Sequence, residues 1–294
     1  MRETVMSSRG VWLVLGVGAV AWLGLLSAGA ADPGRQRGPQ SLNDLGLEVG
    51  ALQTLHALRA TRAQMEGLQK VARETADRPP ARTAGKASAK FRKTLAELRD
   101  ALAANRDEDR INRLNDKLDQ LRSAEKPELD DNMEITDEAR EQAPRVLRML
   151  TAAQVAGYLA GYADTMPDPL GRIQEALAKV RGLKEKDWKE TRGQVGDEVG
   201  ELVAGLDVDK AAEVSAQVGQ LLIVARGLRD EEFKTQRREL ERKAGRIVGD
   251  LGPTDVLRHV MERHLAELLS NPRLEAALEA RLKSEVVRKR GQDP

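Results

Sequence analysis

The chain carries an approximate copy of part of itself. Residues 181–192, RGLKEKDWKETR, align without a gap on residues 226–237, RGLRDEEFKTQR, an offset of 45 residues. The register continues downstream, where Gly200 meets Gly245, Val203 meets Val248 and Leu206 meets Leu251. It also holds upstream, where Ile173 meets Val218 and Leu177 meets Leu222. A unit of this length accommodates two helices and their turns. Two copies are fewer than an open solenoid needs, so the spacing predicts a closed bundle made by duplication.

The copied segments also carry helix-start signals. Leu183 and Trp188 stand five residues apart with acids between them, as do Leu228 and Phe233. Apolar residues at N′ and N4 form a hydrophobic staple, and acids in a first turn meet the positive end of the helix dipole. Lys184 and Arg229, the residues at the cap positions, are poor N-caps. A fuller signal stands at Leu150-Thr151-Ala152-Ala153-Gln154-Val155. Thr151 reads as N-cap and Gln154 as the N3 residue whose side chain returns to the N-cap amide, with Leu150 and Val155 as the staple. Ala60-Thr61-Arg62-Ala63-Gln64-Met65 repeats this with Ala in place of Leu. The residues Thr61, Gln64, Leu150, Thr151, Gln154, Val155, Leu183, Trp188, Leu228 and Phe233 are therefore read as structural caps and staples. For Trp188 and Phe233 the alternative is an anchor for an apolar client.

Between these signals the pattern is helical, so the expected fold class is all-α. A helical pattern starts near Leu42 and runs to about Thr75, and Pro79-Pro80 in 77–88 then blocks helix. Phe91, Leu95, Leu98 and Leu102 share one helix face, as do Ile111, Leu114, Leu118 and Leu121. With Asn105-Arg106-Asp107 as a tight turn, the two segments predict an αα-hairpin. Later breaks fall near Pro167-Asp168-Pro169, Asp207, Gly252-Pro253 and Asn271-Pro272. The expected domains are a hairpin bundle over 42–165 and the duplicated bundle over 168–290.

The N-terminus reads as a targeting segment. Arg2 and Arg9 precede an apolar run from Val11 to Leu26, and Ala28-Gly29-Ala30 fits a small-x-small cleavage site. Residues 1–31 are thus a signal peptide, with an uncleaved anchor as the alternative, and 32–41 a polar tether. Either way the rest of the chain is expected outside the cytoplasm, periplasmic or secreted. The chain has no Cys, so thiolate metal sites and disulfides are excluded. Lys and Arg number 48 against 47 Asp and Glu, which leaves no global field to draw nucleic acid. Aromatics are 2% of residues, too few for a base-stacking platform.

The paired Thr-x-x-Gln signals flanking a helical hairpin resemble the LTxxQ-motif family of envelope proteins, the Spy/CpxP-like group. The match covers roughly residues 45–165, in full at 150–154 and without its Leu at 60–64. The region from Asp168 onward has no counterpart there. The resemblance implies an all-α periplasmic protein, often dimeric, that holds unfolded proteins or senses envelope stress or metal. It carries Thr61, Gln64, Thr151 and Gln154 over as caps, none of them catalytic.

Other candidate chemistry is sparse. His259 and His264 lie in RHVMERH, but a spacing of five puts them about 140° apart, not on one face as zinc ligands need. His56 stands alone, and Glu128–Glu134 is acidic without the alternating ligands and mid-loop Gly of an EF-hand. The basic tail Arg281, Lys283, Arg288, Lys289 and Arg290 reads as dipole-matched cations of a last helix, with an anionic surface as the alternative. No Gly-x-Ser-x-Gly, Walker or dinucleotide motif occurs. The expectation is a non-enzymatic binding or scaffold protein of the envelope, chaperone-like for a protein client. It has no cofactor or nucleic acid, meets membrane only through an uncleaved N-terminus, and leaves a homodimer open. A metal- or stress-responsive sensor and a partner-docking module are the alternatives.

Overall fold

The computed structural model describes residues 41–75, 85–129, 134–160 and 168–290, with side chains up to 286. The signal segment 1–31, nearly all of the tether, Pro79-Pro80, the middle of the acidic loop and Pro167 lie outside the described residues. Among those described there are twelve α-helices and no strand, only an isolated bridge between Lys86 and Glu128. They form two compact units. One takes its described residues from within 1–139, 149–161 and 267–294, the other from within 140–148 and 162–266.

The first unit contains α1 (Leu42–Ala57), α2 (Arg62–Glu74), α3 (Ala89–Ala103), α4 (Glu108–Glu125), α6 (Ala152–Ala160) and α12 (Leu274–Arg290). The helical stretch from Leu42 is two helices, because Arg59 takes a left-handed conformation (φ 48°) and Thr61 caps a new start. The α3–α4 hairpin turns at Asn105, also left-handed (φ 46°), a conformation Asn tolerates better than most residues. The core is aliphatic apart from Phe91 and Tyr158, with Leu52, Leu55, Leu58, Met65, Leu68, Leu98 and Leu102 all at most 1% exposed.

The expected domain boundary is corrected at the C-terminus. Helix α12 does not belong to the duplicated bundle; Leu274, Ala277 and Leu278 are fully buried, and α12 lies against α1, α2 and α3. Asn271 Nδ2 donates to the Leu47 carbonyl (2.8 Å), and Arg273 pairs with the buried Glu48 (3.4 Å). A Leu/Ala stripe marks a buried face, but hydrophobic attraction is non-directional and names no partner.

Helices α5 (Asp137–Leu147) and α11 (Pro253–Ser270) each contribute residues to both units. The second unit is built on α7 (Pro169–Lys179), the 3₁₀ turn Val180–Gly182, α8 (Glu185–Ala204), α9 (Val208–Gly227) and α10 (Asp230–Val248). The 45-residue register is legible in its core. Ile173 and Val218, Leu177 and Leu222, Val180 and Ala225, Val195 and Leu240, Val199 and Ala244, and Val203 and Val248 are all at most 9% exposed in one cluster. Four anticipated breaks begin or end a helix: Asp168 and Asp207 cap α7 and α9, Pro253 opens α11, and α11 ends before Asn271.

Candidate functional site

Thr61 is the N-cap of α2 and Gln64 its N3 residue. The Gln64 amide donates to Thr61 Oγ1 (3.3 Å) while Gln64 Oε1 accepts from the Thr61 amide (2.9 Å). Thr151 and Gln154 repeat this ahead of α6, at 3.2 and 2.9 Å. The fold then brings the two boxes together. Gln64 Nε2 donates to Gln154 Oε1 and Gln154 Nε2 to Gln64 Oε1, each at 2.8 Å. The remaining amide protons cross over. Gln64 Nε2 reaches the Met149 carbonyl (2.8 Å), and Gln154 Nε2 the Leu58 and Arg59 carbonyls (3.1 and 3.2 Å). Each glutamine thus opens its own helix and satisfies carbonyls just ahead of the other box. A helix end needs such partners, and each neutral hydrogen bond contributes about 1 kcal/mol net. Sequence placed both caps and missed their pairing, because spacing within a box says nothing about contact with a box 90 residues away. The staple residues Leu150 and Val155 are half-buried.

The starts of α8 and α10 form a second reciprocal lock. Neither Lys184 nor Arg229 offers a side-chain acceptor to the first backbone N–H groups; at α10 the Glu232 carboxylate accepts from the Arg229 amide (2.9 Å) and from the Arg229 guanidinium (2.7 Å). Trp188 and Phe233 stand at N4 with Leu183 and Leu228 in the same apolar cluster, Trp188 at 5% exposure and Phe233 half-buried. Arg181 lies over the Phe233 ring (4.8 Å) and pairs with Asp230. Its repeat equivalent, Arg226, lies over the Trp188 ring (4.9 Å) and pairs with Glu185 (3.2 Å). Each copy's arginine therefore reaches the equivalent acid and aromatic of the other copy. That exchange of i–j for j–i contacts is the logic of a two-fold interface inside one chain. The signal in sequence is the Arg-Gly-Leu that opens both aligned segments, at 181–183 and 226–228.

The histidines stand in different surroundings. His56 is half-buried, and its pKa is lowered by burial and then by the Arg281 charge. Burial, reinforced by Arg263, lowers His264 to about 4. The His259 Nδ1–H donates to the Leu202 carbonyl near the end of α8 (2.9 Å), with its ring against Gly205. Gly205 has φ 64°, and a Cβ there would meet the imidazole at 2.8 Å, so both the turn and the contact require glycine. Among the described residues no group of three His, Asp or Glu could hold a metal ion. The acidic loop's 130–133 lie outside them.

The basic-tail reading is corrected at Arg281. This residue is 3% exposed, and it donates to the Leu102 carbonyl (2.8 Å) and to Asn105 Oδ1 (2.7 Å), closing the end of α3. It satisfies a helix C-terminus that sequence could not associate with it. Lys283 is exposed and pairs with Glu279 (3.4 Å), and the side chains of Arg288, Lys289 and Arg290 lie outside the described residues.

One open groove, of about 420 Å³, runs between α9 and α10. Gln217, Gln220, Leu221 and Val224 line it from α9, and Lys243, Arg246 and Ile247 from α10. Its lining offers amides, two cations and aliphatic surface. No family model, curated protein or solved structure matches the chain.

Proposed function

We propose that this chain is an exported helical binding protein of the cell envelope, chaperone-like for protein clients, and that it acts by contact rather than catalysis. The observation that carries the reading is the joined pair of Thr-x-x-Gln boxes. Both boxes have the capping geometry expected of an LTxxQ-like protein, and Gln64 and Gln154 tie them into one element. The N-terminal pattern of Arg2 and Arg9, apolar run and Ala28-Gly29-Ala30 supports export. The α9–α10 groove supports contact with a macromolecule, since its floor is aliphatic and its rim charged.

The test is suppression of aggregation of a chemically unfolded client by protein recovered from the envelope. Near-stoichiometric protection is expected; a well-folded sample that gives none overturns the chaperone reading. N-terminal sequencing of the same sample is expected to begin near Ala31, and a chain retained in the membrane with Met1 intact would overturn the cleaved signal.

A further inference from the structure

The two copies of the duplicated unit are alike inside and opposite in charge outside. Over 192–203, α8 carries Asp197, Glu198 and Glu201 against Arg192. Over the equivalent 237–248, α10 carries Arg237, Arg238, Arg242, Lys243 and Arg246 against Glu239 and Glu241. In the first copy the acids are answered. Arg172 of α7 bridges to Glu198 (2.7 Å), and α11 supplies Arg263 to Glu201 (2.7 Å) and His259 to the Leu202 carbonyl (2.9 Å). In the second copy the equivalents of Arg172 and Glu198 are Gln217 and Lys243, which form no bridge, and Lys243 has no carboxylate in pairing range among the described residues. The equivalent of Glu201 is Arg246, which turns back to Glu239 on its own helix (3.4 Å). Lys179, paired with Glu175 in the first copy, becomes Val224, an apolar side chain 39% exposed.

These equivalents of the α7–α8 seam and its α11 contact points are the lining of the α9–α10 groove. Where the first copy presents Glu198 to Arg172 of α7 and Glu201 to Arg263 of α11, the second presents Lys243 and Arg246 beside an open strip of Val224 and Ile247. We propose that this groove docks an acidic amphipathic α-helix of a partner protein, engaging at its Arg246–Ile247 end the positions equivalent to those where α11 meets the first copy. Apolar residues at i, i+3 or i+4 seat between Val224 and Ile247, and flanking Asp or Glu meet Lys243 and Arg246, with charge sign setting partner choice. This deepens the binding reading above and rests on it only for the partner's compartment.

The probe is a peptide of the α11 sequence, Pro253–Ser270, made in its natural form and as H259E/R263E. Titrated into the full chain, the H259E/R263E peptide is expected to bind saturably and at least about tenfold tighter than the natural one. In a K243E/R246E chain the preference reverses. Both side chains are exposed, and an unchanged unfolding midpoint confirms the fold. Val224→Glu, which places charge on the groove floor, is expected to weaken both peptides. Absence of binding overturns the proposal. So does H259E/R263E binding that is unaffected by K243E/R246E, since the peptide then displaces α11 or sits elsewhere. A dimer of the full chain that K243E/R246E dissociates overturns it in favour of a second copy as occupant. A chain that fails these titrations yet protects clients loses the groove and keeps the binding reading; the opposite pattern loses the chaperone reading and keeps the groove.

Discussion

The two copies in the second unit share a core and a clasp but differ in what their second helices, α8 and α10, lie against. The first copy's α8 lies so near α9 of the second that a methyl on Gly200 would overlap the Ala211 carbonyl oxygen. In the second, Gly245 has nothing within 4 Å among the described residues. Six core pairs are buried in both, and Arg181 and Arg226 make equivalent crossed contacts. Duplication kept what holds the copies to each other. It released what each copy shows to its surroundings, which is where the first meets α11 and the second keeps a groove.

The largest expected effect tests the shared core. Leu177→Ala and Leu222→Ala, at 3% and 0% exposure, should each cost about 2–5 kcal/mol in denaturant unfolding. Similar values support the equivalence, and a cost confined to one copy would break it.

Acid should act through α11, which makes the His259 and Arg263 contacts to the first copy. His264 is held at about 4, below its ordinary value, so the unfolded chain binds its proton first. Stability is full above about pH 6.5 and falls as pH drops from there toward 4, a loss on the order of 2–3 kcal/mol. His264→Gln should flatten that slope in a pH series of melting curves.

The glycines give opposite signs. Gly200→Ala should destabilise by about 1–3 kcal/mol, because two backbones must separate. Gly245→Ala should stabilise by about 0.5–1 kcal/mol through helix propensity alone. Equal effects would mean that α8 and α10 do not differ in how closely a neighbouring backbone approaches them.

The smallest effect concerns the clasp. Arg181→Ala and Arg226→Ala should each cost about 0.5–1 kcal/mol, because the acids they meet are largely exposed and the ring contacts partly so. The cost should shrink in high salt for both. A double mutant no worse than either single would show that the arginines act as one unit.

Helix boundaries were widely legible because their causes are local. Ser, Thr and Asp caps, Pro starts and staples act within five residues, so Thr61, Thr151, Asp168, Asp207, Leu183 and Leu228 could be placed from spacing alone. The candidate site was legible only in parts. Gln64 and Gln154 were visible as caps and invisible as a pair; Arg181 and Arg226 were visible as a repeated sequence and invisible as a clasp. Arg281 was read with the tail because its partner, the end of α3, is 179 residues away.

Sequence by itself determined that this chain is helical, where most of its helices begin, and that 45 residues recur, since capping, propensity and periodicity are written in neighbouring residues. Tertiary structure alone decided that α12 joins α1 to α3, that the two Thr-x-x-Gln boxes interlock, and that one copy of the duplication is covered where the other is open. Those outcomes depend on which apolar stripe meets which, and burial rewards any adequate match without encoding its address.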